Sequence, residues 1–144
     1  MIVEKVLPSP ASLGARRVER VVLTSGDLAK HRQRVKTDAG RDIGVSLPHG
    51  AALKDGDLLH LDAECAIVVE QAEEDLLWLQ PESPEQFGIM GYQVGNLHRA
   101  AMIDRHGIAV LYDKAIEALA HRFRISTVRA PGKFRPAQNQ GHSH

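Results

Sequence analysis

The sequence predicts an α+β protein, and three observations predict it. In the first half, short apolar runs recur between turns rich in Pro, Gly and Asp. In the second half, strand and helix periods alternate in the order strand, helix, strand, strand, helix, strand. That order is a ferredoxin-like βαββαβ motif. From Pro131 onward Pro, Gly, Gln, Asn and basic residues dominate and no period survives, as expected of a flexible end. The expected organisation is a small all-β domain over residues 1–72, a ferredoxin-like domain over 73–134, and a histidine-bearing tail over 135–144.

The β-domain starts with a strand expected over Val3–Leu7. A second is expected over Arg17–Leu23, where Val18 precedes Val21-Val22-Leu23. Lys30–Thr37 and Asp42–Leu47 flank the turn Asp38-Ala39-Gly40 and read as a hairpin, since Ile43, Val45 and Leu47 alternate. Pro48-His49-Gly50 and Lys54-Asp55-Gly56-Asp57 are turns by composition. Leu58–Leu61 and Ala66–Val69 are two further strands. Short strands at this spacing suggest a small sandwich or barrel.

In the second half, Asp75–Leu79 fits a buried strand. Ser83-Pro84-Glu85-Gln86 then announces a helix. Ser83 can cap free N–H groups, Pro84 suits the first helical position, and Gln86 completes a capping box. Phe87, Met90, Gly91 and Val94 give the apolar stripe. Gly88 and Gly91 are poor helix formers, so close packing against a neighbour is expected there. Gly95-Asn96 is the expected helix stop, because both residues tolerate positive φ. Strands over Arg99–Ile103 and Ile108–Leu111 flank the turn Asp104-Arg105-His106-Gly107. Asp113 caps a second helix with the stripe Ile116, Leu119, Ala120 and Phe123, and its basic end suits the helix dipole. A last strand is expected over Ser126–Arg129.

Composition excludes several functions. Hydrophobic residues make up 43% and charged residues 25%, which suits a globular core built from Val, Leu, Ile and Ala, since aromatics are only 4%. With 18 basic and 18 acidic side chains the formal charge is zero, against the basic surplus of a nucleic-acid binder. The single cysteine, Cys65, permits no intrachain disulfide and reads as a buried thiol. No apolar run approaches a membrane span, and the start lacks a secretory pattern. These features predict a cytoplasmic protein.

Chemistry rests on histidine, of which there are eight. Neutral imidazole ligates nickel, copper and zinc. There is no Cys–His zinc pattern and no His-x-x-x-His pair on a helix, so a closed zinc site within one chain is not expected. His98 follows the helix stop in Gly95-Asn96-Leu97-His98, which should fix its direction. The competing reading is a partly buried histidine bonded to a backbone carbonyl. His142 and His144 in Gly141-His142-Ser143-His144 could complete a coordination shell, and a short tether would keep them concentrated near it. One imidazole repeated across a two-fold axis makes a better site than one alone. His106 and His121 read as surface residues, and His31, His49 and His60 are given no metal role. Lys30, Arg32, Arg34 and Lys36 alternate at strand period, as either a face for an acidic partner or a charged edge that resists aggregation.

Taken together, these segments resemble the urease accessory protein UreE family. Arg32-Gln33-Arg34, Thr37-Asp38-Ala39-Gly40, Ile43-Gly44-Val45-Ser46-Leu47 and Leu53-Lys54-Asp55-Gly56-Asp57 resemble its N-terminal domain, and Gly95-Asn96-Leu97-His98 with the histidine-bearing end resembles its metal-binding domain. The resemblance implies a homodimeric nickel metallochaperone with no catalytic residues. His98 would bind Ni(II) at the dimer axis, with His142 and His144 adding ligands, and Zn(II) or Cu(II) as substitutes. The implied partners are the urease apoprotein, an accessory GTPase and other maturation proteins, with no nucleic acid and no membrane. The first domain would bind peptides or partners. Two departures imply about one tight metal per dimer: Leu111-Tyr112-Asp113-Lys114 carries no histidine, and the tail holds only two. The alternative is a metal-independent adaptor in enzyme maturation. A metal-dependent hydrolase would need about three ligands and a general base, and only Asp104 and His106 stand near His98 in sequence.

Overall fold

The computed structural model describes residues 1–136. The chain divides into two compact units, Met1–Ala72 and Glu73–His144. The first holds β1 (Ile2–Val3), β2 (Arg17–Leu23), α1 (Ser25–Leu28), β3 (Arg32–Lys36), β4 (Asp42–Ser46), β5 (Leu58–Leu61) and β6 (Cys65–Gln71). They form two three-stranded sheets, ordered β1-β4-β3 and β2-β6-β5. The β3–β4 hairpin is antiparallel, with Arg32 opposite Ser46 and Lys36 opposite Asp42. Its turn needs the left-handed backbone that Gly40 supplies at φ 86°. Strand alternation then sends one set of side chains inward. Val3, Ile43 and Val45 from one sheet meet Val21, Leu23, Ile67 and Val69 from the other in a single core. Each such side chain contributes about 1.5–3 kcal/mol on full burial.

Several expectations change in this unit. The opening strand covers only Ile2–Val3, pairing in parallel with β4. Leu7 instead makes an isolated bridge to Leu58 of the other sheet, so the expected Val3–Leu7 strand is two separate pairings. The strand expected from Lys30 starts at Arg32, because Lys30 is held by the preceding turn: its amine lies 2.9 Å from Asp27 and its N–H donates to the Asp27 carbonyl. That turn is α1, which was not expected. Thr24 caps it by accepting from the Asp27 N–H at 3.2 Å. Cys65 is buried, at the start of a β6 longer than expected.

The second unit holds β7 (Glu74–Gln80), α2 (Pro84–Asn96), β8 (Met102–Asp104), β9 (Gly107–Leu111), α3 (Lys114–Arg122) and β10 (Ser126–Gly132). The sheet is antiparallel throughout, ordered β10-β7-β9-β8. Both helix starts follow the sequence signals. Ser83 accepts from the Gln86 N–H, and Asp113 accepts from Ala115 and Ile116. Met90 and Val94 of α2, with Ile116 and Ala120 of α3, pack on Leu77, Leu79, Ile108 and Val110 of the sheet.

Two expectations fail here. The strand expected from Arg99 starts only at Met102. The chain does not become irregular at Pro131: β10 runs to Gly132, with Pro131 opposite Asp75, and Phe134 is 3% exposed. Because β10 is an edge strand, a proline there need not break a ladder bond. Nothing among the described residues approaches within 4 Å of where a Cβ would stand on Gly88 or Gly91, so any close neighbour of these glycines lies outside the unit.

Candidate metal centre

The apolar stripe of α2 fixes how far the helix runs, and its last turn decides where His98 points. The helix passes straight through Gly95 and Asn96, neither of which takes a positive φ. Leu97 is the C-cap, and His98 is the residue that turns left-handed, at φ 58°. Its N–H donates to the Gly95 carbonyl at 3.0 Å, and the Arg99 N–H donates to the Val94 carbonyl at 3.3 Å. This pair of bonds is a Schellman ending, which satisfies carbonyls that the helix would otherwise leave open. Glycine usually fills that position. A residue with a Cβ costs about 1–2 kcal/mol in this conformation, although histidine is among the side chains enriched there. The expected stop at Gly95-Asn96 is therefore displaced by two residues onto the histidine itself.

The backbone beyond His98 is clamped as well. The Arg99 Nε–H donates to Asp113 Oδ2 at 2.8 Å. Asp113 Oδ1 accepts from the Ala115 N–H at 2.8 Å, so one carboxylate both caps α3 and holds the loop after α2. The Arg99 guanidinium, opposed in part by burial, holds this carboxyl below its ordinary range. Reading the sequence missed this role for Arg99, and the acidic cap fourteen residues later was its only signal. His98 itself is exposed. The competing picture of a partly buried histidine bonded to a carbonyl does not hold.

His106, His121 and His60 stand in separate surroundings. His106 lines a shallow cavity of about 330 Å³ with Trp78, Gln80, Asp104 and Val128. Its backbone N–H donates to Asp104 at 2.7 Å, which is turn chemistry. His121 Nε2 lies 3.5 Å from Thr127 Oγ1. His60 Nε2 lies 2.9 Å from Asp62 Oδ2, and that bond leads the effects holding the Asp62 carboxyl down at about 2. The segment Leu111–Lys114 is occupied by other work. Tyr112 lies 3.5 Å beneath the Arg129 guanidinium and donates its hydroxyl proton to Glu117 at 2.9 Å. Among the described residues no three His, Cys, Asp or Glu side chains cluster as a metal cage. A cation at His98 must draw its other ligands from elsewhere. His142 and His144 lie outside the described residues.

Two compact units, the second of them presenting an exposed imidazole on a hydrogen-bonded helix end, are the frame in which the comparisons with known proteins are read. Models of the UreE urease accessory protein match the chain over both parts: the N-terminal domain over residues 3–72 and the C-terminal domain over residues 74–144. A urease accessory protein UreE of Bacillus sp. (strain TB-90) is 37% identical over 147 residues, covering 100% of this chain and 99% of the relative. That of Staphylococcus aureus (strain MRSA252) is 38% identical over 149 residues, with the same coverage. The chain belongs to the UreE urease accessory protein family, a family of accessory proteins rather than enzymes. No helix among the described residues is long and apolar enough to cross a membrane.

Proposed function

We propose that this protein is a cytoplasmic nickel metallochaperone, which binds Ni(II) and delivers it for assembly of the urease active site. The metal is cargo, and His98 is its principal ligand. The observation that carries the reading is the exposed imidazole at φ 58°, on a backbone fixed by the helix ending and by the Arg99–Asp113 pair. The backbone that carries the ligand is ordered before metal binds, and exposure leaves the ring open to ligand exchange. A carrier must release its metal, so an incomplete shell serves it better than a closed cage.

One imidazole binds too weakly to carry nickel alone. We read the second unit as ferredoxin-like, which its strand order β10-β7-β9-β8 supports, and as the unit through which two copies pair. Pairing places two His98 rings at one axis, and His142 and His144 add ligands. Zn(II) and Cu(II) would substitute on such nitrogen donors, so selection for nickel rests on geometry and supply. The first unit would contact partners, which for this role are the urease apoprotein, its accessory GTPase and the other maturation proteins.

Equilibrium dialysis against Ni(II) tests the assignment. About one tight ion per dimer is expected, with binding lost in His98→Ala and weakened on mild acidification, because protons compete for imidazole. Unchanged nickel affinity in His98→Ala refutes the site. Undiminished binding of the urease apoprotein in chelator-treated buffer would favour the metal-independent adaptor instead.

A further inference from the structure

The first unit carries a second pair of imidazoles that the sequence does not bring together. His31 stands one residue before β3, and His49 stands beyond the end of β4. The hairpin register continues past both strands, since the Leu47 N–H donates to the His31 carbonyl at 2.7 Å. Pro48 then starts a tight turn. The Ala51 N–H donates to the Pro48 carbonyl at 3.0 Å, and Gly50 takes φ 86°. Positive φ at that position marks a type II turn, with His49 at its first corner. The turn lays the His49 ring against His31, with centroids 5.2 Å apart and planes at 78°.

That spacing has a chemical meaning. A nitrogen ligand sits about 2.0–2.1 Å from a bound cation, which puts the imidazole centroid about 3.2 Å away. Two such rings, each with a nitrogen turned to the ion at a tetrahedral angle, have centroids about 5.2 Å apart, so a cation is reached by rotating the rings out of their edge-on contact without separating them. Neither ring has a hydrogen-bond partner among the described residues that would have to be given up. His49 is exposed and His31 half-buried, so water can fill the remaining positions. The neighbouring Lys30 ammonium is paired with Asp27 at 2.9 Å, which blunts its repulsion of a cation.

We propose that His31 and His49 form a second metal site, on the first unit, for one borderline divalent cation of the Ni(II), Cu(II), Zn(II) class. It is complete within one chain and does not depend on His98 or on pairing. Two protein ligands with water in the other positions make it weaker and faster to exchange than a shared His98 site. It would serve as a loading or hand-off position on the unit without the principal ligand.

The test uses the full chain with His98, His142 and His144 all replaced by Ala, titrated with zinc sulfate. Calorimetry reads stoichiometry, and side-chain nitrogen NMR reads which imidazoles respond. One Zn(II) per chain is expected, with the His31 and His49 resonances shifting together. Adding His31→Gln, or separately His49→Gln, should weaken binding at least tenfold while circular dichroism stays unchanged. Absence of zinc binding in the triple variant overturns the proposal. So does binding that survives both glutamine substitutions, or shifts confined to His60, His106 or His121. None of these outcomes touches the nickel site, which the single His98→Ala variant probes in otherwise unaltered protein.

Discussion

At the scale of single residues, the strain at His98 is separable from its chemistry. Arg124 provides the control: it too is left-handed, at φ 58°, and ends α3 with the same two bonds, its own N–H to the His121 carbonyl and the Ile125 N–H to the Ala120 carbonyl. Glycine relieves the Cβ penalty at both positions. Each of His98→Gly and Arg124→Gly should therefore gain about 0.5–1 kcal/mol in denaturant unfolding. Only His98→Gly should lose nickel. A destabilised His98→Gly would mean that the side chain supports the fold. Glu19 contributes to the acid behaviour of the first unit. It is 2% exposed, accepts from Thr37 at 2.7 Å, and is held by the Arg41 guanidinium at 2.9 Å. The Thr37 hydrogen bond first, then Arg41, pulls its carboxyl down to about 2 against the effect of burial. An unfolded glutamate titrates near ~4.3. Its stabilisation is thus complete above that value and is lost as pH falls toward about 2. Unfolding free energy measured between those limits should drop with acid in the parent. Glu19→Gln should start lower and slope less, and an equally steep slope would assign the acid sensitivity to other groups.

At the scale of elements, what was legible depended on how far apart the partners lie in the chain. Ser83-Pro84 and Asp113 mark their helix starts through bonds that span three residues, and both helices begin where these signals stand. Long-range pairings left no local mark. Nothing in Ile2–Val3 announces a parallel partner in β4, nor in Arg17–Leu23 one in β6. Pro131 misled for a related reason: it reads as a breaker unless the strand is known to be an edge. His98 itself was legible, but its conformation was not, because Gly95 and Asn96 are the better left-handed residues by propensity. The His31–His49 pair is a product of tertiary structure alone. Gly107 shows how strict one position can be. At φ 147° any Cβ there would collide with the Leu79 carbonyl oxygen. Gly107→Ala should cost more than about 2 kcal/mol, read as a fall in the unfolding midpoint. A loss within about 0.5 kcal/mol would contradict the β7–β9 geometry. On α2, the outer face carries Ile89, 40% exposed, and Tyr92, 69% exposed, beside glycines with open space around them. If two His98 rings meet at an axis, this face lies close to it. Gly95→Gln adds a good helix former yet fills that space. It should leave monomer folding intact while weakening both pairing and nickel binding. A fully dimeric Gly95→Gln would place the contact elsewhere.

At the scale of the whole molecule, the two units differ in build. The first sets two three-stranded sheets around one core, with a charged edge strand and a histidine pair of which one ring is exposed. The second sets two helices on one antiparallel sheet and uses a helix ending to aim one imidazole outward. Among the described residues no cluster of three ligands forms at His98. Symmetry is what the proposal relies on, because a two-fold axis turns a single ligand into two. The most direct measurement is nickel K-edge absorption on the size-fractionated nickel complex, with the ion counted per chain. The account predicts a dimer holding about one tightly bound ion, ligated by at least two imidazoles and reduced to none in His98→Ala. A monomer that holds nickel just as tightly, or a dimer whose nickel shell is unchanged without His98, would contradict it.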